Sequence, residues 1–264
     1  MSTVTKALMT EDKGTEIVNK LQLIASAITE NGSVPGAAGA GLHNNIYRGR
    51  FLGNAVTAEQ WAAIAAGTFD DLYIGDYWTI GSVNWRIAAF DYWLHCGDVE
   101  CTDHHVVIVP DTNLYTAKMN ESNVATGGYT GSKMYTTNLA NAKSTINTAF
   151  GSAHILSHKE LLTNAVTSDK ASGWAWFAST VELMNECMVY GHNAWGSAPS
   201  YETGIDKAQL PLFQMRPDLI CNRAHWWLRD VAAATTFAVV NGHGHATADG
   251  ASDALGVRPA FAIC

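Results

Sequence analysis

The sequence predicts an α+β domain made of many short strands, few helices and long loops. Three observations lead there. Short runs rich in aromatic and branched residues recur through the middle and at the end of the chain. Only a few stretches carry a helix-start signal or an apolar seam of helical spacing. Polar segments rich in Gly, Asn, Thr or Pro, over 111–136 and 192–220, separate these elements.

Composition bounds the answer. With 264 residues, 47% of them hydrophobic, the chain can bury one large core. One domain with a short appendage fits that size better than two equal domains. A net charge of −8 and the lack of any Lys/Arg run argue against a nucleic-acid surface. No apolar run approaches the length of a membrane span. Residues 1–16 lack the charged-then-apolar order of a signal peptide, so the expectation is a protein made in the cytoplasm. Five cysteines are too few and too scattered for a disulfide framework. Cys96 and Cys101 flank four residues and can close a small loop. The preferred reading for a cytoplasm-made protein is a pair left reduced.

In chain order, residues 15–30 read as a helix. Ile17, Leu21, Ile24 and Ile28 make one apolar seam, which two heptads cannot hold without a partner. Self-association into a homo-oligomer, such as a trimer, and packing against the main domain are both open. Residues 32–44 form a small-residue linker, so 1–31 is a stem and 45–264 the head. The head opens with a strand near Ile46–Leu52. Thr57-Ala58-Glu59-Gln60 is a capping box opening a helix with Trp61 and Ile64, closed by Gly67. Strands follow over Leu72–Ile74, Tyr77–Ile80, Asn84–Tyr92 and His105–Pro110. A helix runs over Leu139–Phe150 and ends at Gly151. Two further Ser-x-x-Glu boxes, Ser157–Glu160 and Ser179–Glu182, predict helices through Leu161, Leu162 and Val166, and through Met184, Met188 and Val189 to Gly191.

The last stretch, Asn222 to Ile263, has its own character. It opens with Trp226-Trp227-Leu228-Arg229-Asp230 and closes with Gly256-Val257-Arg258-Pro259-Ala260-Phe261, both read as core strands. From Val239 to Asp249 the odd positions are Val, Asn, His, His, Thr and Asp, while the even positions between them are Val, Gly, Gly, Ala and Ala. A period of two puts the small even set inward and the odd set outward. From Arg229 to Cys264 there is no Lys, Glu, Gln, Met or Trp. The first 228 residues hold 39 of these types, a rate that would put about six in the last 36. None of the missing five is reachable when the adenines of an AAC or AAT codon are randomised, whereas Asn, His, Asp, Thr, Val, Ala, Gly and Ser all are.

These residues carry a resemblance. The Trp-Trp-Leu-Arg-Asp opening and Gly-Val-Arg-Pro-Ala-Phe close resemble the C-terminal variable region of diversity-generating retroelement target proteins, which phages and prophages carry. The resemblance extends back through Gly75-Asp76-Tyr77-Trp78, Gly67-Thr68-Phe69-Asp70-Asp71 and Tyr47-Arg48-Gly49. It implies a C-type-lectin-like fold of the formylglycine-generating-enzyme branch. It also implies a retroelement-diversified ligand-binding protein on a phage particle, with a bacterial surface protein or glycan and other virion proteins as partners. The candidate contact residues are His225, Thr235, Thr236, Val239, Asn241, His243, His245, Thr247, Asp249 and Asp253. The candidate scaffold is Asn222, Trp226, Trp227, Arg229, Asp230, Arg258 and Phe261.

Signs of catalysis are missing from the sequence: there is no G-x-S-x-G, H-E-x-x-H or phosphate loop. No catalytic residue, metal ligand or cofactor is therefore expected. His243 and His245 share a strand face but lack a nearby third ligand, so they are read as exposed varied positions. Asp70, Asp71 and Asp76 are read as turn residues. The enzymes of the resembled branch use a cysteine pair near the chain end. Here that region holds only Cys221 and Cys264, which argues against an oxidase. The other alternative is a structural virion fibre or decoration protein.

Overall fold

The computed structural model describes residues 17–20, 39–196 and 208–264. The fold is α+β, with thirteen strands in three sheets among the described residues. Residues 17–20 are helical and exposed. The rest of the 15–30 seam lies outside the described residues, as do 21–38 and 197–207.

The first sheet is built mostly from the first half of the chain. Its strands are β1 (Phe51–Gly53), β2 (Tyr77–Ile80), β3 (Val83–Phe90), β4 (Val106–Pro110), β8 (Val181–Leu183) and β13 (Pro259–Ile263). They lie in the order β1-β2-β3-β4-β13-β8. Strands β2, β3 and β4 fall within a residue or two of the sequence reading, because their aromatic and branched runs face a shared core. Trp78, Trp85, Phe90 and Phe261 are fully buried there. Phe261 meets Trp85 edge-on at 5.6 Å and Phe150 at 5.3 Å. The Ile46–Leu52 and Leu72–Ile74 strands are shorter than predicted: a parallel bridge joins Tyr47 to Ile74, and only Phe51–Gly53 forms a strand.

The head also begins before residue 45. A helical turn, α1 (Ala40–His43), packs on the core, with the buried His43 Nδ1 2.5 Å from Leu72 O. Asn44 exchanges two hydrogen bonds with the backbone of Phe90. The end of the predicted linker is therefore part of the head.

Helix α2 (Ala58–Ala65) opens with the full capping box: Gln60 N–H donates to Thr57 Oγ1 at 3.2 Å, and Thr57 N–H to Gln60 Oε1 at 3.0 Å. Helix α3 (Leu139–Phe150) buries Leu139, Ala142, Ile146 and Phe150 at helical spacing and stops at Gly151, φ 82°.

The other two Ser-x-x-Glu boxes are not caps. Ser157–Glu160 leads into strand β6 (His158–Thr167), which pairs along its length with β7 (Lys170–Ser179). The hairpin turns on Ser168 and Asp169, both at positive φ (50° and 64°), the geometry of a tight two-residue turn. A ten-residue partner strand outweighs a local helix signal. Ser179–Glu182 likewise leads into β8, which pairs with β13. The predicted helix starts later, at α4 (Glu186–Tyr190), where Asn185 Oδ1 accepts from Met188 N–H at 2.7 Å; it ends at Gly191, as expected. The polar segments hold short elements too: β5 (Tyr115–Ala117), a π turn over Met134–Asn138, and helix α5 (Pro211–Met215).

Candidate functional site

The stretch 222–263 supplies β13 and four of the five strands of the second sheet: β9 (Trp226–Ala233), β10 (Thr236–Val240), β11 (Ala246–Gly250) and β12 (Leu255–Val257). The order is β11-β10-β9-β12-β5, so β9 and β10 are interior and β11 is an edge.

The period-two reading from Val239 to Asp249 needs one correction. These residues are a hairpin, not a single strand. Asn241 and His245 close it through Asn241 N–H to His245 O at 2.9 Å. In the register Val239 opposes Thr247 and Phe237 opposes Asp249. Odd residues therefore still share one face on both strands. On interior β10 that face is covered, and Val239 is fully buried between Trp227 and Thr247. It cannot touch a ligand. On edge strand β11 Thr247 and Asp249 remain partly open.

The other predicted contacts fall into two groups along β11. At the hairpin tip His243 and His245 are exposed, their rings 6.4 Å apart. Exposed His225 leans across the sheet, with Nδ1 3.3 Å from Asp249 Oδ2. Asn241 has a different duty: its Oδ1 accepts from His243 N–H at 2.9 Å and His245 N–H at 3.1 Å, fixing the turn. At the far end Thr235 is exposed and Thr236 half-buried, with Thr235 O accepting from Ala251 N–H at 3.0 Å. Asp253 is exposed in the turn that follows. Beside this turn lies a polar groove of about 410 Å³, lined by Asn120, Glu121, Ser122, Thr126 and Lys133 among others.

The residues expected to form the scaffold are buried or half-buried. Trp226 and Trp227 are fully buried, and their indole N–H groups donate to Ile220 O at 3.3 Å and Ala117 O at 2.8 Å. Arg258 is buried, and among the described residues it makes no carboxylate contact. Its Nε and Nη1 donate to Pro110 O at 2.9 Å and Leu219 O at 3.0 Å, and the guanidinium stacks near Trp226 and Phe213. Burial pulls its pKa down to about 10. Arg229 pairs with buried Glu160 on β6. Its neighbour Asp230 accepts from Glu186 N–H at 2.6 Å at the start of α4. Asn222 Nδ2 donates to Asn113 Oδ1 at 2.8 Å.

Beneath β9 lies a buried polar network that sequence reasoning missed. His158 Nε2 lies 3.0 Å from Glu160, and the His158 ring stacks on Trp93 at 4.0 Å. Tyr129 OH donates to Glu182 Oε2 at 2.8 Å. Burial pushes Glu160 up, but Arg229 and His158 outweigh it and bring the carboxyl down to about 2. Burial, with the charge of Glu160 added, raises Glu182 to about 7. Alternating His158, Glu160 and Leu162 on a strand is the signal that would have shown it, had that segment been read as β.

Two glycines show how closely the rest of the chain fits this stretch. A Cβ on Gly256 would lie 2.0 Å from Asn113 Nδ2, and one on Gly250 2.7 Å from Asn123 Oδ1. Asn123 Oδ1 also accepts from Ser252 N–H and Oγ, at 2.9 and 2.8 Å. Nothing in the sequence linked 111–124 to these turns.

Fully buried Asp76 accepts from the backbone N–H groups of Arg50 and Tyr73 and from Arg48, Asp70 accepts from the Thr68 hydroxyl at 3.0 Å, and Asp71 pairs with Arg48 and Arg50. Among the described residues no group of three or more His, Cys, Asp or Glu is placed to hold a metal ion. No described helix is long and apolar enough to cross a membrane.

Fold and geometry together define an α+β domain that presents an edge strand and its hairpin tip beside a largely buried interior strand. The family described as "Domain of unknown function (DUF6273)" matches residues 107–264, and the chain belongs to that family. The match spans β4 to β13 and so includes the whole candidate face. Comparison with curated proteins and with solved structures returned no match.

Proposed function

We propose that this chain is a ligand-binding protein whose recognition surface is diversified by a retroelement. In this reading the head has a C-type-lectin-like fold of the formylglycine-generating-enzyme branch. It sits on a phage or prophage particle and contacts a bacterial surface protein or glycan, through His225, Thr235, Thr236, His243, His245, Thr247, Asp249 and Asp253.

The observation that carries the reading is the composition break at Arg229. The last 36 residues lack all five residue types that adenine randomisation of AAY codons cannot reach. The architecture supports it: the open side chains stand on an edge strand, at turns and at the end of an interior strand, where change costs little, while the rest of β10 is closed. The open residues are small and polar. They give adaptable hydrogen bonds with little apolar anchoring, so each site binds modestly and display in many copies supplies avidity.

The test is a graft. The eight open residues are exchanged for those of a sister variant and binding to panels of bacterial cells and surface glycans is measured. Target preference should follow the grafted residues. If it stays with the scaffold, this stretch is not the recognition surface. An independent check is the neighbouring DNA, which should hold a near-copy of the codons for about 222–263, differing at adenines, beside a reverse transcriptase gene.

A further inference from the structure

Cys96 and Cys101 lie in the excursion between β3 and β4. Their backbones are paired: His95 N–H donates to Cys101 O at 2.7 Å, and Cys101 N–H donates to Cys96 O at 3.1 Å. His95 and Cys96 thus stand together against Cys101, with His95 at φ 61°. This is the two-against-one pattern of a β-bulge whose first residue is left-handed. Antiparallel residues that exchange both backbone hydrogen bonds have Cα atoms about 5.5 Å apart, and Cys96 and Cys101 share one of those two bonds. A disulfide spans Cα separations of roughly 4.4–6.8 Å.

Gly97, at φ 99°, turns the chain between the two cysteines, and Asp98, Val99 and Glu100 are exposed. No cysteine of the described residues is in a disulfide. Cys96 Sγ rests 3.4 Å from Leu94 O and Cys101 Sγ 3.9 Å from Asp103 O. These are weak thiol contacts that a χ1 rotation releases.

We propose that Cys96 and Cys101 form an oxidisable pair that closes an intramolecular disulfide by exchange with a small-molecule disulfide such as oxidised glutathione. Cys96 is half-exposed and attacks first. Its thiolate, having given its proton to water, bonds to one glutathione sulfur and breaks that S–S bond. The glutathione thiolate released takes up a proton. Cys101 is buried, and burial with the charge of Asp103 added holds its thiol up, so it follows as the resolving thiol. It loses its proton, attacks the Cys96 sulfur and expels the second glutathione. Two protein thiols are oxidised by two electrons and one glutathione disulfide is reduced to two thiols. The pair stays reduced in a glutathione-reducing cytoplasm and closes in an oxidising medium. The inference does not depend on the binding function.

The experiment uses the full chain. It is incubated with oxidised glutathione, acid-quenched, denatured, alkylated and digested for mass analysis. The expected product is a Cys96–Cys101 peptide lacking two hydrogens, with Cys187, Cys221 and Cys264 alkylated, and dithiothreitol reverses it. Closing so short a loop should raise the melting midpoint by about 5 °C. In Cys101→Ser the reaction should stop at a glutathione adduct on Cys96, and in Cys96→Ser residue 101 should stay alkylatable. A lasting adduct on wild-type Cys96, a bridge from either residue to another cysteine, or two thiols that remain alkylatable after oxidation would each overturn the proposal.

Discussion

Replacing Glu182 by glutamine tests the buried network through its pH dependence. Glu182 is 3% exposed, and one carboxylate oxygen accepts from Tyr129 OH while Oε1 has no hydrogen-bond partner among the described residues. Its carboxyl titrates at about 7 in the folded chain, against an ordinary value of 4.5. A raised carboxyl pKa means the folded state holds the proton more tightly than the unfolded state. Its contribution is complete below 4.5 and is lost as pH rises through about 7. Between pH 5 and pH 8 the linkage amounts to about 2.5 kcal/mol of lost stability. The substituted amide would be neutral at every pH and keep an acceptor for Tyr129. Urea unfolding at several pH values, taken as the difference between wild type and Glu182→Gln, cancels every other titration. That difference should move by about 2.5 kcal/mol in favour of the variant from pH 5 to pH 8. Parallel stability profiles would show that Glu182 is ionised in the fold, and the account of the network would be wrong.

Four further outcomes are expected. Arg229→Met should lower stability by about 3–5 kcal/mol in urea melts, because it leaves Glu160 buried without its cation. Simultaneous replacement of His225, His243, His245 and Thr247 by Ser or Ala should cost no more than about 0.5 kcal/mol per position. Trp227→Ala should cost about 3–5 kcal/mol, and a larger loss in the quadruple variant than in the tryptophan variant would invert the division into face and scaffold. Removing residues 1–31 should leave a folded head but a smaller assembly by light scattering, and an unchanged assembly would put the subunit contact in the head.

Local signals were legible where a segment's own chemistry decides its state. Thr57 with Gln60 marks the start of one helix, and the helical seam from Leu139 to Gly151 carries its own face and stop. The boxes at Ser157 and Ser179 carry the same letters, but there a distant partner decides: β7 for one and β13 for the other. At the site, His243 and His245 are exposed because they lie at the hairpin tip, a turn that alternation along one strand does not show. Burial of Val239 was not legible either, because alternation assigns a face without saying whether a neighbouring strand covers it. The turn duty of Asn241 was hidden for a related reason, since an Asn at an alternating position looks the same in a strand and at a hairpin corner. The clips from Asn113 and Asn123 span more than a hundred residues of sequence and leave no local trace.

Those two asparagines bear on how many versions of the C-terminal stretch can exist. Each occupies the space where position 256 or position 250 would need a side chain. The room available to the last strands is thus limited by amide groups borne on another segment. Shortening Asn113 or Asn123 to Ser would open a cavity that alanine at the facing glycine could fill. A combinatorial library built on this head would gain permitted members from a change made entirely outside the randomised codons.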